Sequence, residues 1–90
     1  MGANGKSREW SVTEDLPEAF TKWLKEQIHH KQLFEGKSGH QIANEIGVSA
    51  SLLGRWMGGK GPLSQLDIHK LAEYLGDGVY ITLGLERPEN

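Results

Sequence analysis

Apolar residues recur at helical spacing in four stretches of this chain. Within each stretch their spacing places them on one face of an α-helix and predicts packing against a core. The pattern therefore predicts an all-α fold, a compact bundle of four to five helices. The four apolar stripes are Phe20, Trp23, Leu24 and Ile28; Ile42, Ala43 and Ile46; Leu53 and Trp56; and Ile68, Leu71, Ala72 and Leu75.

The first helix carries signals for its start and its end. Asp15 stands where an N-cap is wanted, and Pro17 suits the first turn, where a missing amide hydrogen costs no helical bond. We expect this helix to fray around His30 or Lys31. Leu33 and Phe34 then fall in the following loop, where we expect both side chains to point into the core.

The second and third stripes lie within one stretch, residues 39–58, around which the rest of the chain is organised. Ser38 precedes the second stripe with Gln41 three residues on, which is the spacing of a capping box. Gly47 follows the last apolar residue, where a left-handed backbone is wanted and glycine adopts it at little cost. Ser49 is then a cap for a third helix. The stretch predicts two short helices joined by a tight turn.

The last third of the chain holds a fourth helix and an ambiguous segment. Ser64 has Asp67 three residues on, which is a cap signal, and Gly76 stops the fourth stripe. Residues 79–83 favour a strand by propensity, whereas Asp77 offers a cap for a short helix. We expect three regions in all: a flexible N-terminal segment at 1–13, a helical domain at 14–85 and a polar tail at 86–90.

Length and composition limit the class of protein. Ninety residues allow one small domain with a thin core. The absence of cysteine excludes a disulfide framework and a zinc–thiolate site, and it is compatible with a reducing cytoplasm, where we expect the protein. No run is long and apolar enough to span a membrane, so we expect no membrane partner.

The charge balance argues at first against a nucleic-acid partner, because the formal net charge is −2. The charges are, however, unevenly distributed. Residues 20–60 hold six basic and three acidic side chains, whereas residues 1–19 hold two and four, and residues 61–90 hold two and five. A cationic middle on an acidic body is what a modest phosphate-binding surface needs.

Four residues of the central stretch carry a resemblance to a known family. Ala43, Gly47, Leu53 and Trp56 resemble the fixed positions of the helix-turn-helix motif. The loop at 59–62 and the helix at 66–76 resemble the continuation found in lambda-repressor-like (XRE-like) DNA-binding domains, over residues 20–85 in all. The resemblance implies a five-helix domain whose third helix enters the major groove of DNA. It also favours a short helix at 79–83.

The third predicted helix, about residues 50–57, turns a small and polar side away from Leu53 and Trp56. An arginine on that side can bond two acceptors of one guanine, and small residues let a backbone approach a partner. Free amides at the start of the second helix attract phosphate. We therefore expect base contacts from Ala50, Ser51, Gly54 and Arg55, and phosphate contacts from Lys37, Ser38, Gly39, His40, Ser49 and Lys60.

These residues lead us to expect a sequence-specific transcriptional regulator of bacterial or phage type, with double-stranded DNA as its partner. Any homodimer would form on the DNA or through Leu83, Leu85 and their neighbours. The alternative is a protein-interaction module, antitoxin-like or adaptor-like, on the same fold. The acidic balance, the few base readers and Leu52 beside the reading face motivate that alternative.

No pattern in the sequence is typical of an enzyme. There is no Ser/His/Asp arrangement and no carboxylate pair in an apolar frame, so we expect no catalytic residue, no metal and no cofactor. Residues 54–60 match the spacing of a phosphate loop, but Gly61 replaces the residue that binds magnesium. We expect the four histidines to be exposed on helices: His29, His30, His40 and His69.

Overall fold

A computed structural model describes residues 15–86 of the chain. Within this range the chain forms five α-helices and no strand, which confirms the all-α prediction. None of these helices combines the length and the apolar composition that a membrane crossing needs. The predicted segment 1–13 and residues 87–90 of the tail lie outside the described residues. The helices are α1 (Glu18–Glu35), α2 (Gly39–Ile46), α3 (Ala50–Met57), α4 (Gln65–Leu75) and α5 (Gly78–Leu83).

The start of α1 differs from the prediction, because Asp15 does not cap it. Pro17 precedes the helix and supplies no side-chain cap. Asp15 instead forms an isolated antiparallel bridge with Lys60, and the amide of Leu16 donates to the Gly59 carbonyl at 2.9 Å. The side chain of Leu16 is buried in the core. These long-range contacts hold the segment extended and direct Asp15 away from the helix.

The end of α1 also differs, because the helix continues past His30 to Glu35 and stops at Gly36, whose φ is 67°. Leu33 and Phe34 are therefore helical, and they are 65% and 73% exposed. The expectation that they point into the core was wrong. Ile28, Lys31 and Glu35 lie on one side of α1, since they are three and seven residues apart. Leu33 and Phe34 therefore lie on other sides of the helix.

The helices α2 and α3 begin after the predicted caps, although of the capping box predicted for α2 the structure has only the bond from the Gln41 amide. Ser38 Oγ accepts a hydrogen bond from the Gln41 amide at 3.1 Å, and Ser49 Oγ accepts one from the Leu52 amide at 3.0 Å. Gly47 has a φ of 98°, the left-handed conformation predicted for it. Two eight-residue helices joined by three residues result.

The two C-terminal helices complete the bundle. The Ser64 and Asp67 capping box is present in both directions. Residues 79–83 are helical, as the resemblance favoured, but Asp77 makes no side-chain cap hydrogen bond to α5. A Cβ at Gly78 would lie 2.5 Å from the Trp23 ring, so only glycine lets α5 approach α1 this closely.

The core lies where α1 meets α2, α3 and α5, and where α4 meets α2 and α5. Trp56 is fully buried at its centre, and its indole Nε1 donates to the Pro62 carbonyl at 2.6 Å. Leu83, one of the residues through which any homodimer was expected to form, is only 8% exposed and packs inside the protomer. Leu85 is half-buried against the same core. The exposed apolar residue of α5 is Ile81.

Candidate nucleic-acid interface

The outer side of α3 is uncovered. Leu53 and Trp56 are 2% and 0% exposed and anchor the helix to the core, whereas Ser51, Gly54 and Arg55 are exposed. We call these three exposed residues the α3 outer face. A Cβ built at Gly54 would meet no atom within 4 Å, so no other part of the described chain packs over the middle of this face.

The other predicted base contact, Ala50, is less available. It is half-buried and packs against the edge of the core, as Leu52 does. Leu52 therefore packs on its own protomer. This weakens one argument for the protein-interaction alternative, which treated Leu52 as an exposed apolar contact. The helix begins at Ala50 with Ser49 as its cap, so Ser49 Oγ is already engaged by the Leu52 amide.

Arg55 is exposed but not free. Its Nε donates a hydrogen bond to the Gly61 carbonyl at 2.8 Å. Within residues 15–86 its two terminal nitrogens have no hydrogen-bond or ion-pair partner. One nitrogen of the guanidinium is therefore hydrogen-bonded within the domain, and the other two are available to a partner.

The surroundings of Arg55 along the chain contain no acidic residue. Between Glu45 and Asp67 the sequence has no Asp or Glu, and this interval includes the whole of α3 and the loop that follows it. The same interval contains Arg55 and Lys60. The α3 outer face thus carries positive charge without a local acidic neighbour in sequence, in contrast to the acidic balance of the chain as a whole.

The start of α2 offers backbone amides rather than cations. The Gln41 amide bonds Ser38 Oγ and the Ile42 amide bonds the Ser38 carbonyl, so the amides of Gly39 and His40 come first in the helix without an intrahelical acceptor. The His40 side chain is exposed. Amides in this position, together with the helix dipole, favour a bound anion.

Lys37 lies just before this helix, but acidic side chains already engage it. Its Nζ lies 2.9 Å from Glu45 Oε1 and 3.1 Å from Glu35 Oε1. Hydrogen bonds to these two carboxylates, that to Glu45 first, raise the pKa of Lys37 well above its usual range. Lys37 would have to leave both partners to reach a phosphate, so it is a poorer phosphate ligand than its sequence position suggests.

The carboxylate of Glu45 also accepts a hydrogen bond from the Tyr74 hydroxyl at 2.6 Å. This bond and the one from Lys37 lower the pKa of Glu45. Lys31 lies over the Tyr74 ring, 4.6 Å from its centroid, and pairs with Glu35 at 3.3 Å. We call this group the ion cluster; it joins the end of α1, α2 and α4, and its members are Lys31, Glu35, Lys37, Glu45 and Tyr74.

Lys60 is paired in a looser way. Its Nζ lies 2.9 Å from Asp15 Oδ1, with side chains 60% and 81% exposed. The hydrogen bond from Lys60 lowers the pKa of Asp15. Exposed pairs of this kind contribute little and exchange readily, so Lys60 can turn to another anion at small cost.

Sequence patterns missed a contact that steadies the turn between α2 and α3. Lys70, on α4, donates from Nζ to the Gly47 carbonyl at 3.1 Å. A lysine near a helix C-terminus is electrostatically favourable, but the two residues are 23 positions apart and no local pattern joins them.

Sequence patterns also missed an open groove of about 390 Å³. It lies beside Met57 and is further lined by Lys25, Glu26, His29 and Gln32.

The four histidines are exposed, as predicted. His69 Nε2 lies 3.1 Å from Glu73 Oε2, and His30 packs on the Phe34 ring at 4.5 Å between centroids.

Comparisons with known protein families, with curated proteins and with solved structures found no match to this chain. The geometry of α2, α3 and their surroundings is therefore the basis for any assignment of function.

Proposed function

We propose that this domain is a DNA-binding regulator of the helix-turn-helix type, with α3 in the major groove and the start of α2 on the phosphate backbone. The observation that carries the proposal is the α3 outer face: an uncovered helix side with an exposed arginine and no acidic residue nearby in sequence. An α-helix with its side chains is roughly 10–12 Å in diameter, comparable to the width of the major groove, about 12 Å.

The base contacts follow from the exposed side chains. Arg55 offers donors that match the O6 and N7 acceptors of guanine, an interaction worth about 1–3 kcal/mol of discrimination. Ser51 offers a hydroxyl that can donate or accept. Gly54 has no side chain, so the helix backbone can come close to the base edges there. Ala50 contributes at most a methyl contact from the rim of the face.

The phosphate contacts are the amides of Gly39 and His40, which need no cation. Lys60 adds a cation after it leaves Asp15, whereas Lys37 is held by two carboxylates. Few cations therefore meet the phosphates. Because the slope of log K against log salt is about −0.9 per phosphate neutralised, and Lys60 neutralises one, we expect a shallow slope of about −1 per protomer.

The test begins with selection of binding sites from random duplexes at low salt, followed by titration of the recovered site. The variant Arg55→Ala is expected to weaken binding to that site about 5- to 150-fold, which corresponds to about 1–3 kcal/mol. Lys22→Ala is the matched control, because it removes an equal charge from an exposed position on α1. Unchanged specific affinity in Arg55→Ala would overturn the proposal, as would a selection that enriches no sequence.

One set of observations favours a second function, a protein-interaction module. Lys37 and Lys60 are both paired with acidic side chains, and Leu33 and Phe34 present apolar surface to solvent. The two functions differ in their response to salt. Binding to DNA weakens as salt rises, whereas an apolar contact is nearly insensitive to it. The second function replaces the first if no DNA binding is detected and Leu33→Ser with Phe34→Ser abolishes a salt-insensitive association.

A further inference from the structure

Arg55 is held by the loop that follows α3. We call residues 58–62 the 58–62 loop. The carbonyl of Arg55 accepts hydrogen bonds from the amides of Gly58 at 3.1 Å and Lys60 at 2.8 Å, and its Nε donates to the Gly61 carbonyl at 2.8 Å. The loop therefore binds this one residue through both its main chain and its side chain.

The loop is itself anchored at several points. The Gly59 carbonyl accepts from the Leu16 amide at 2.9 Å, and the Pro62 carbonyl accepts from the buried Trp56 indole at 2.6 Å. Gly61 is buried, so its carbonyl is held by packing as well as by the bonds on either side. The acceptor that Arg55 uses is accordingly fixed relative to α3.

We infer that the 58–62 loop positions Arg55 so that its two terminal nitrogens, and not Nε, read the acceptor pair of a guanine. The inference rests on the proposed function and assigns the Gly61 carbonyl as the positioning group. A guanidinium can present either its two terminal nitrogens or one terminal nitrogen with Nε to a bidentate acceptor. The bond to Gly61 occupies Nε and leaves the end-on approach.

The arrangement has a consequence for affinity. A free arginine loses rotamer freedom when it is fixed on a base, and this loss offsets part of the gain from the two hydrogen bonds. An arginine already fixed by the 58–62 loop loses less. The inference thus explains how a face with only one cationic reader can discriminate between bases.

The first test uses the free protein and needs no DNA. Heteronuclear relaxation of the Arg55 Nε is expected to match that of the α3 backbone, and a coupling through the hydrogen bond to the Gly61 carbonyl carbon is expected. Arg55→Lys supplies the control for assignment of the Nε signal. A relaxation value typical of a freely rotating side chain, or a missing coupling, overturns the inference and leaves the proposed function intact.

The second test uses the complex with a selected site. The Nε coupling to Gly61 is expected to persist, while rotation at the terminal nitrogens slows. Replacing the contacted guanine by 7-deazaguanine removes the N7 acceptor; it is expected to weaken the wild-type protein about tenfold and Arg55→Ala, which has no donor there, less than twofold. Loss of the coupling on binding would mean that Nε turns to the DNA, which overturns the end-on geometry. Absence of any enriched site overturns both the inference and the proposed function, whatever the first test shows.

Discussion

Arg55 on the α3 outer face and Lys37 in the ion cluster were both expected to contact DNA, yet the structure gives these two cations different surroundings. Arg55 has two open nitrogens and no acidic residue nearby in sequence, whereas Lys37 lies between Glu35 and Glu45. Arg55 can offer its two terminal nitrogens to a partner, whereas Lys37 bridges a carboxylate of α1 and one of α2. A lysine at a plausible position in a motif is thus only a potential contact until its neighbours are known.

The largest expected effect is on the anchor that presents the α3 outer face. Trp56→Ala removes a fully buried ring and its bond to the Pro62 carbonyl, and we expect a loss of about 3–5 kcal/mol in the free energy of unfolding. Since the free energy of unfolding of small domains is only about 5–15 kcal/mol, this variant is expected to retain only part of its stability. Urea denaturation measures the loss. Leu66→Ala, at a 62% exposed position on α4, is the control, with an expected change within about 0.5 kcal/mol.

A smaller effect concerns the ion cluster directly. Replacing Glu35 and Glu45 together by glutamine removes both carboxylates that hold Lys37. If Lys37 then binds a phosphate, the affinity for a selected site rises and the slope of log K against log salt steepens by up to about 0.9.

A matched double variant separates this local effect from a general gain in positive charge. Glu18→Gln with Glu73→Gln changes the net charge equally at two exposed positions outside the cluster. It is expected to raise affinity less and to leave the salt slope unchanged. Equal slopes for the two double variants would show that freeing Lys37 adds no phosphate contact, and the cluster would then be purely structural.

The next substitution, in the middle of the α3 outer face, is expected to change stability and DNA affinity by a similar or smaller amount. Gly54→Ala is expected to stabilise the domain by about 0.5–1 kcal/mol, because alanine is the better helix former and no atom lies within 4 Å of the new Cβ. The same variant is expected to weaken DNA binding if the backbone at Gly54 lies against the base edges. Thermal unfolding and titration measure the two effects separately. Greater stability with unchanged affinity would contradict the close approach.

Local signals account for most of what the sequence predicted correctly. The caps at Ser38, Ser49 and Ser64 and the left-handed turn at Gly47 each depend on residues within four positions, so their chemistry is readable along the chain. The resemblance to a family added the helical assignment of residues 79–83, which propensity alone opposed.

Long-range contacts account for the errors and the omissions. Asp15 accepts a hydrogen bond from Lys60, 45 positions away, and Glu45 accepts one from Tyr74, 29 positions away. No periodicity encodes such pairs. The exposure of Leu33 and Phe34 follows from the extension of α1 to Glu35, which makes both residues helical and places them away from the side of Ile28. The bond from Arg55 to the Gly61 carbonyl was likewise invisible, since any backbone carbonyl is a potential acceptor.

The smallest expected effect is a pH dependence confined to the ion cluster. Burial, with the hydrogen bond to Glu45, raises the pKa of Tyr74 to about 12. A raised pKa in the folded state favours the protonated phenol, so its contribution to stability is complete below the unfolded value of about 10 and declines as the pH rises toward 12. The raised pKa of Lys37 acts in the same direction in alkaline solution.

Tyr74→Phe isolates this contribution. The difference in unfolding free energy between wild type and variant is expected to be constant between about pH 6 and 9 and to shrink from about pH 10 upward. Arg55→Ala is the control, because that side chain lies outside the cluster, and its difference from wild type should stay parallel over the same range. A difference for Tyr74→Phe that does not change above pH 10 would contradict the raised pKa.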